Sequence, residues 1–259
     1  MKHLQRKLPW LEPGQSFPPP ASAWGAHEPA PGLLAAGGAL DVQTLLDAYS
    51  QGIFPWFSDG QPILWWSPQP RMVLQMHNFK LHRSLHKKLT RLLAPGSAYE
   101  LKVDGAFEQV IRACAGAPRE GQAGTWIVEE MIDAYIALHM AGHAHSVETW
   151  IDGELAGGLY CVNIGTMVFG ESMFARQTDA SKIALTALVA FCRANAIKMV
   201  DCQQNTGHLA TLGAGEIART EFASHLATTV VKDAPKWHFE PVYWNEILPS
   251  QQQPRLILP

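Results

Sequence analysis

The sequence predicts an α+β fold, with helices layered on a mixed sheet. Three observations carry this. Three strand-like stretches between residues 145 and 171 are joined by tight turns. A helix that is apolar nearly all round follows over Ala180–Ala194. A further strand comes after it at 198–203.

In order along the chain, residues 1–37 hold seven of the 18 prolines and read as an extended lead-in. Asp41 suits an N-cap for a helix over Val42–Ser50, with Leu45, Leu46 and Tyr49 on one face and Gly52 as the stop. Residues 53–68 are dense in aromatics and proline, which confines them to edge strands or rigid loops. Over 79–93 the leucines Leu81, Leu85, Leu89 and Leu92 form one helical stripe. Lys80, Arg83, Lys87 and Arg91 form the opposite one, with Lys88 beside it. A cationic stripe is compatible with a plain solvated face. The absence of any Asp or Glu from Gly60 to Tyr99 favours a phosphate-binding surface instead.

Thr125 suits the cap of a helix over 126–140, closed by Gly142. A strand over 145–151 turns at Asp152-Gly153 into a second over 155–162, and Asn163–Gly165 leads to a third over 166–171. Asp179 is expected to cap the buried helix 180–194, and a short helix over 206–212 ends at Gly213. The Pro- and Gln-rich tail after Lys232 is expected to wrap the surface. The order β–β–β–α–β is also that of GNAT-type acyltransferases, although topology alone does not decide function.

Composition narrows the class. The chain has 259 residues, 47% apolar and only 17% charged, with a net charge of −3. That excludes wholesale disorder and coating of nucleic acid by bulk charge, but not a local basic patch. Cys114, Cys161, Cys192 and Cys202 form no C-x-x-C pair and suit a reducing compartment. No apolar core of a secretory signal occurs near the N-terminus, and no apolar run approaches the ~20 residues of a membrane helix. A cytoplasmic protein without membrane contact is expected.

Two constellations invite chemistry. Glu171 closes an otherwise apolar strand and is followed by Met173 and Phe174. It is either a surface carboxylate at a strand end or one at the mouth of an apolar pocket, able to bind or deprotonate an amine. In Met199–Gln203, alternation places Asp201 and Gln203 on one face and Val200 and Cys202 on the other. The polar pair either ties down a neighbouring loop or serves a site. His139, His143 and His145 have metal-like spacing but no acidic companion, so no metal is expected. No nucleophile elbow, P-loop or dinucleotide fingerprint occurs. Trp56, Trp65, Trp66 and Trp126 flank the basic stripe and serve either core packing or stacking on unpaired bases.

An ordered series of motifs then becomes recognisable. It comprises Gly52-Ile53-Phe54-Pro55-Trp56-Phe57, Ile63-Leu64-Trp65-Trp66-Ser67-Pro68, Pro70-Arg71, Gly124-Thr125-Trp126-Ile127, Gly142-His143-Ala144-His145-Ser146, Gly170-Glu171-Ser172-Met173-Phe174 and Asp201-Cys202-Gln203. From about Gly32 to Leu226 the chain resembles the bacterial leucyl/phenylalanyl-tRNA–protein transferases.

The resemblance implies a small N-terminal domain (1–75) and a GNAT-like, acyl-CoA N-acyltransferase-like, mixed-sheet catalytic domain (76–259). It implies transfer of Leu or Phe, with Met as a further donor, from aminoacyl-tRNA to proteins beginning with Arg or Lys. That reaction feeds a bacterial N-degron degradation pathway. Residues matching Tyr49, Trp56 and Trp126 surround the aminoacyl-adenosine, and those matching Leu159, Val168, Met173 and Val200 line the side-chain pocket. Glu171, Asp201 and Gln203 match the reaction centre. Arg71, Lys80, Arg83, Lys87, Lys88 and Arg91 are expected to grip tRNA phosphates. No cofactor is implied. An acetyl-CoA N-acetyltransferase is the rival enzyme, but residues 176–181 lack the glycines of its pyrophosphate loop. A non-catalytic RNA-binding module is the other rival.

Overall fold

The computed structural model describes residues 7–117 and 127–248. A small four-stranded sheet begins the fold, built from β1 (Trp10–Leu11), β2 (Leu33–Gly37), β3 (Phe54–Pro55) and β4 (Leu64–Trp66) in the order β1–β2–β4–β3. Pro55 sits on its edge strand, where the missing N–H leaves no gap in the ladder. Helix α1 (Val42–Ser50) lies between β2 and β3, capped as expected by Asp41, whose Oδ1 accepts from Thr44 N at 3.0 Å. Gly52, at φ +74°, ends the turn that follows. A Cβ there would stand 2.9 Å from the Phe222 ring.

The large sheet starts at β5 (Arg71–Gln75) and continues with β6 (Tyr99–Val103), β7 (Ala144–Ile151), β8 (Glu154–Ile164), β9 (Met167–Ala175), β10 (Met199–Gln203) and β11 (Gly215–Ile217). Its order is β11–β5–β10–β9–β8–β7–β6, antiparallel throughout except for the parallel pair β9–β10. The two sheets part between Trp66 and Arg71. The remaining helices are α2 (Arg83–Leu92), α3 (Phe107–Ala115), α4 (Glu129–Met140), α5 (Ala180–Ala194), α6 (Gly207–Thr211) and α7 (Arg219–Thr229). The meander β7–β8–β9, the crossover α5 and the parallel strand β10 form the expected GNAT-like α+β order. No helix among the described residues is long and apolar enough to cross a membrane.

Each face of the large sheet is covered. One packs on α1, α3, α4, α7 and the small sheet through Val73, Val110, Tyr135, Tyr160 and Phe169. The other packs on α2 and α5 through Leu74, Val147, Leu159, Val168 and Val200. The paired glycines on β8 let α5 approach, since a Cβ on Gly157 would lie 2.6 Å from that of Ala180.

Several local expectations give way to tertiary contacts. The basic helix starts only at Arg83. The chain before it is held extended, with Lys80 N bonded to Leu212 O at 2.9 Å. Asp179 does not cap α5: it adopts φ +68° and pairs instead with Lys182 at 3.1 Å and Lys88 at 3.6 Å. Helix α4 begins at Glu129, and its expected cap Thr125 lies outside the described residues. Of the tail, residues 233–248 are described, and most of them are exposed, as expected of a segment running over the surface, but apolar side chains anchor it. Trp244 and Leu248 are buried against α5, and Trp237 lies flat on His145 at 4.1 Å.

Candidate active site

A cleft of about 710 Å³ opens where β9 and β10 separate. These strands register only through Val200–Val168 and Asp201–Phe169. Beyond that pair each carries a bulge. On β9, Ser172 pairs with Tyr160 and Gly170 with Cys161, leaving Glu171 as the extra residue. On β10, Asp201 pairs with Val73 and Gln203 with Met72, leaving Cys202 extra, and Gln203 takes φ +63°. The walls are Leu159 and Met173 from the meander, Leu185 and Leu188 from α5, Val200 and Cys202 from β10, His208 and Leu209 from α6, and Phe54 to Trp56 from the small sheet.

The polar end of the cleft is a network around Glu171. Its Oε1 accepts from the Tyr49 hydroxyl at 2.7 Å and from Gln203 Nε2 at 2.9 Å. Its Oε2 accepts from the Tyr135 hydroxyl at 3.3 Å, and the two tyrosine hydroxyls touch each other. Burial pushes the Glu171 carboxyl up to about 8. The Asp201 charge adds to the rise, and the bonds from Tyr49, Tyr135 and Gln203 oppose it. Burial and the Glu171 charge raise both phenols, so they remain donors. Burial, with Asp201, also pushes the Cys202 thiol up to about 12, which rules it out as a thiolate nucleophile at neutral pH.

Behind this network lies a second one. Asp201 is wholly buried and takes both forks of Arg71, at 2.8 Å and 2.6 Å. Its Oδ1 also accepts from Gln203 N at 2.9 Å. Arg71, 1% exposed, donates further to the Gly52 carbonyl at 3.0 Å and lies between the rings of Phe54 and Phe222.

These positions correct several assignments. Arg71 faces no phosphate, because its guanidinium is enclosed and its donors are committed to Asp201 and Gly52. Asp201 does not share a face with Gln203. The bulge at Cys202 breaks the alternation, so Gln203 joins Val200 and Cys202 on the cleft side while Asp201 faces Arg71. Val168 lies in the core below the cleft floor rather than in its wall. Tyr49 is fully buried and meets the site only through its hydroxyl. Trp126 lies outside the described residues. Trp56, Leu159, Met173, Val200, Glu171 and Gln203 all border the cleft. Tyr135 was not singled out from sequence. The signal was a tyrosine on the apolar face of α4, whose buried hydroxyl needs a partner.

Lys80, Arg83, Lys87 and Arg91 are solvent-exposed, whereas Lys88 is half-buried and tied to Asp179 and the Thr178 carbonyl. The stripe adjoins the cleft through α6, where His82 Nε2 lies 2.9 Å from the Thr211 carbonyl. Two of the three histidines of the series are committed elsewhere. His139 Nδ1–H donates to Ala144 O at 2.8 Å and His145 Nδ1 bonds Asp104 at 2.7 Å. Among the described residues, no three His, Cys, Asp or Glu side chains are grouped to hold a metal ion.

Comparison with known proteins adds a second line. A family model described as leucyl/phenylalanyl-tRNA protein transferase matches residues 73–227, and the one for that family's N-terminal domain matches 38–69. A protein of that name from a Polaromonas species is 65% identical over 97% of this chain and 98% of its own length. Another from Albidiferax ferrireducens is 60% identical over 93% of this chain and 94% of its own. Among solved structures, a GCN5-related N-acetyltransferase from Kribbella flavida aligns at 12% identity and a TM-score of 0.32. That alignment covers 66% of this chain and 58% of that one.

Proposed function

Because the chain belongs to the leucyl/phenylalanyl-tRNA–protein transferase family, we propose that it moves Leu or Phe from aminoacyl-tRNA to the N-terminal amine of proteins that begin with Arg or Lys. Met is a further donor. The tagged products enter an N-degron degradation pathway in the cytoplasm. The observation that carries this reading is the apolar cleft ending at the bonded pair Glu171 and Gln203.

The donor's side chain fills the space between Leu159, Met173, Leu188 and Val200. A wall of aliphatic and thioether groups accepts Leu, Phe and Met and rejects charged side chains by desolvation. The terminal adenosine stacks near Trp56. Lys80, Arg83, Lys87 and Arg91 hold tRNA phosphates without reading bases.

The ester is already activated, so the protein's main task is alignment. Gln203 gives its amide nitrogen to Glu171, which leaves its amide oxygen to accept from the incoming amine. The amine nitrogen attacks the ester carbonyl carbon. The C–N bond forms and the bond to the ribose oxygen breaks. The ammonium proton passes to Glu171, which returns it to the departing ribose oxygen, so that the carboxylate is restored. An α-amine titrates at ~7.7–8.0, close to the Glu171 value of about 8. Matched acidities suit general base catalysis near neutral pH. Asp201 contributes as a positioning residue through the Gln203 backbone.

The test is transfer of labelled Leu or Phe from charged tRNA to a peptide beginning with Arg, with acetyl-CoA as the control donor. Label on the peptide only from tRNA supports the reading. Acetyl transfer points to the rival enzyme, and RNA binding without transfer points to a binding module.

A further inference from the structure

We propose that Arg71 is a positioning residue for the transfer step, joining the two walls of the cleft so that Gln203 meets Glu171. This rests on the function proposed above.

Arg71 touches three parts of the fold at once. It binds both oxygens of Asp201 on β10, the Gly52 carbonyl at the end of the α1 turn, and the faces of Phe54 and Phe222. The segment starting at Gly52 leads directly into Phe54, Pro55 and Trp56, which form the small-sheet wall of the cleft. Asp201 in turn holds the Gln203 N–H. That bond secures a backbone conformation at φ +63°, which a non-glycine residue adopts only when its surroundings enforce it. One buried guanidinium therefore fixes where the donor's wall stands and how Gln203 is turned toward Glu171. Its planar fork is what allows three acceptors to be met together; an ammonium meets fewer and without the plane.

Charge adds a consequence. The Asp201 carboxylate raises the Glu171 carboxyl. Taking that charge away, as Asp201→Asn does, lets Glu171 release its proton at lower pH.

The experiment compares wild type with Arg71→Lys and Asp201→Asn in single-turnover transfer from Phe-tRNA to an Arg-initial peptide, as a function of pH. For both variants the rate should fall about 10- to 100-fold, with tRNA affinity within about threefold of wild type, as expected when an interaction acts in the transition state alone. Arg71→Lys keeps the counter-charge and should leave the Glu171 ionisation near its wild-type position, whereas Asp201→Asn removes the carboxylate that raises it and should move it downward by about half a unit or more. The double variant should be no slower than the worse single one, since the pair acts as a unit. A wild-type rate in Arg71→Lys overturns the inference, and so does an unshifted Glu171 ionisation in Asp201→Asn. So does a loss carried wholly by tRNA affinity. If Arg71→Lys does not fold, Asp201→Asn reads the same tie from its other end, and an undiminished rate there overturns it equally. Failure of the wild type to transfer at all would instead count against the function proposed above.

Discussion

Gln203 and Glu171 meet across the one parallel strand pair of the large sheet, and each stands at a bulge in its own strand. Regular pairing would have kept β9 and β10 together there and closed the cleft. The bulges make the site by separating the strands and turning an amide and a carboxylate toward the same space.

Glu171→Gln removes the proton acceptor and keeps the shape. The single-turnover rate is expected to fall at least ~100-fold, within the usual range for losing a general base. Wild-type rates should rise through two ionisations near pH 8, that of Glu171 and that of the acceptor amine, and the variant through one. Rates measured from pH 6 to 10 check this; an unchanged profile removes Glu171 from the proton path.

The same substitution has a stability signature. Glu171 holds its proton to about pH 8 in the folded chain, against an ordinary 4.5. Between those values the folded state binds more protons than the unfolded one, so this group's contribution to stability falls as pH rises. Glu171→Gln should therefore melt higher than wild type at pH 9 and show less difference at pH 5. Each kcal/mol recovered is worth roughly 2–4 °C at this chain length. Melting curves at the two pH values decide it.

Lys87→Ala and Arg83→Ala each take one cation from the exposed stripe. Aminoacyl-tRNA should bind more weakly, and the slope of log affinity against log salt should flatten by up to about one per residue. Titrations at three salt concentrations measure it. Unchanged affinity and slope would place the tRNA elsewhere.

Met173→Phe fills part of the apolar cleft. Phe-tRNA should lose more than Leu-tRNA, because the larger side chain meets the added ring first. One methylene is worth ~1–3 kcal/mol in such pockets, so a shift of 10-fold or more in the Leu/Phe preference is expected. Competition between the two charged tRNAs reads it directly.

Much of the frame was legible because its signals are local. Asp41 caps α1, Asp152-Gly153 turns the β7–β8 hairpin with φ values of 54° and 77°, and an apolar run becomes α5. The site was legible in part. Glu171 stood out as a charge in apolar company, and its cost pointed to a task. Gln203 and Tyr49 were named as well, but not their bonds to Glu171, because alternation fails at a bulge and bulges arise from pairing with strands distant in sequence. Arg71 was misread for a related reason: it sits in an acid-free stretch, and the carboxylate that buries it lies 130 residues away. Tyr135 is likewise joined to Glu171 only by the fold.

The most direct measurement is a structure with phenylalanyl-adenosine linked by an amide in place of the ester. The ring should lie between Met173, Leu188 and Val200, with the carbonyl carbon beside the Gln203 amide and within reach of Glu171. A ligand seated away from that pair, with the cleft left empty, would contradict the account.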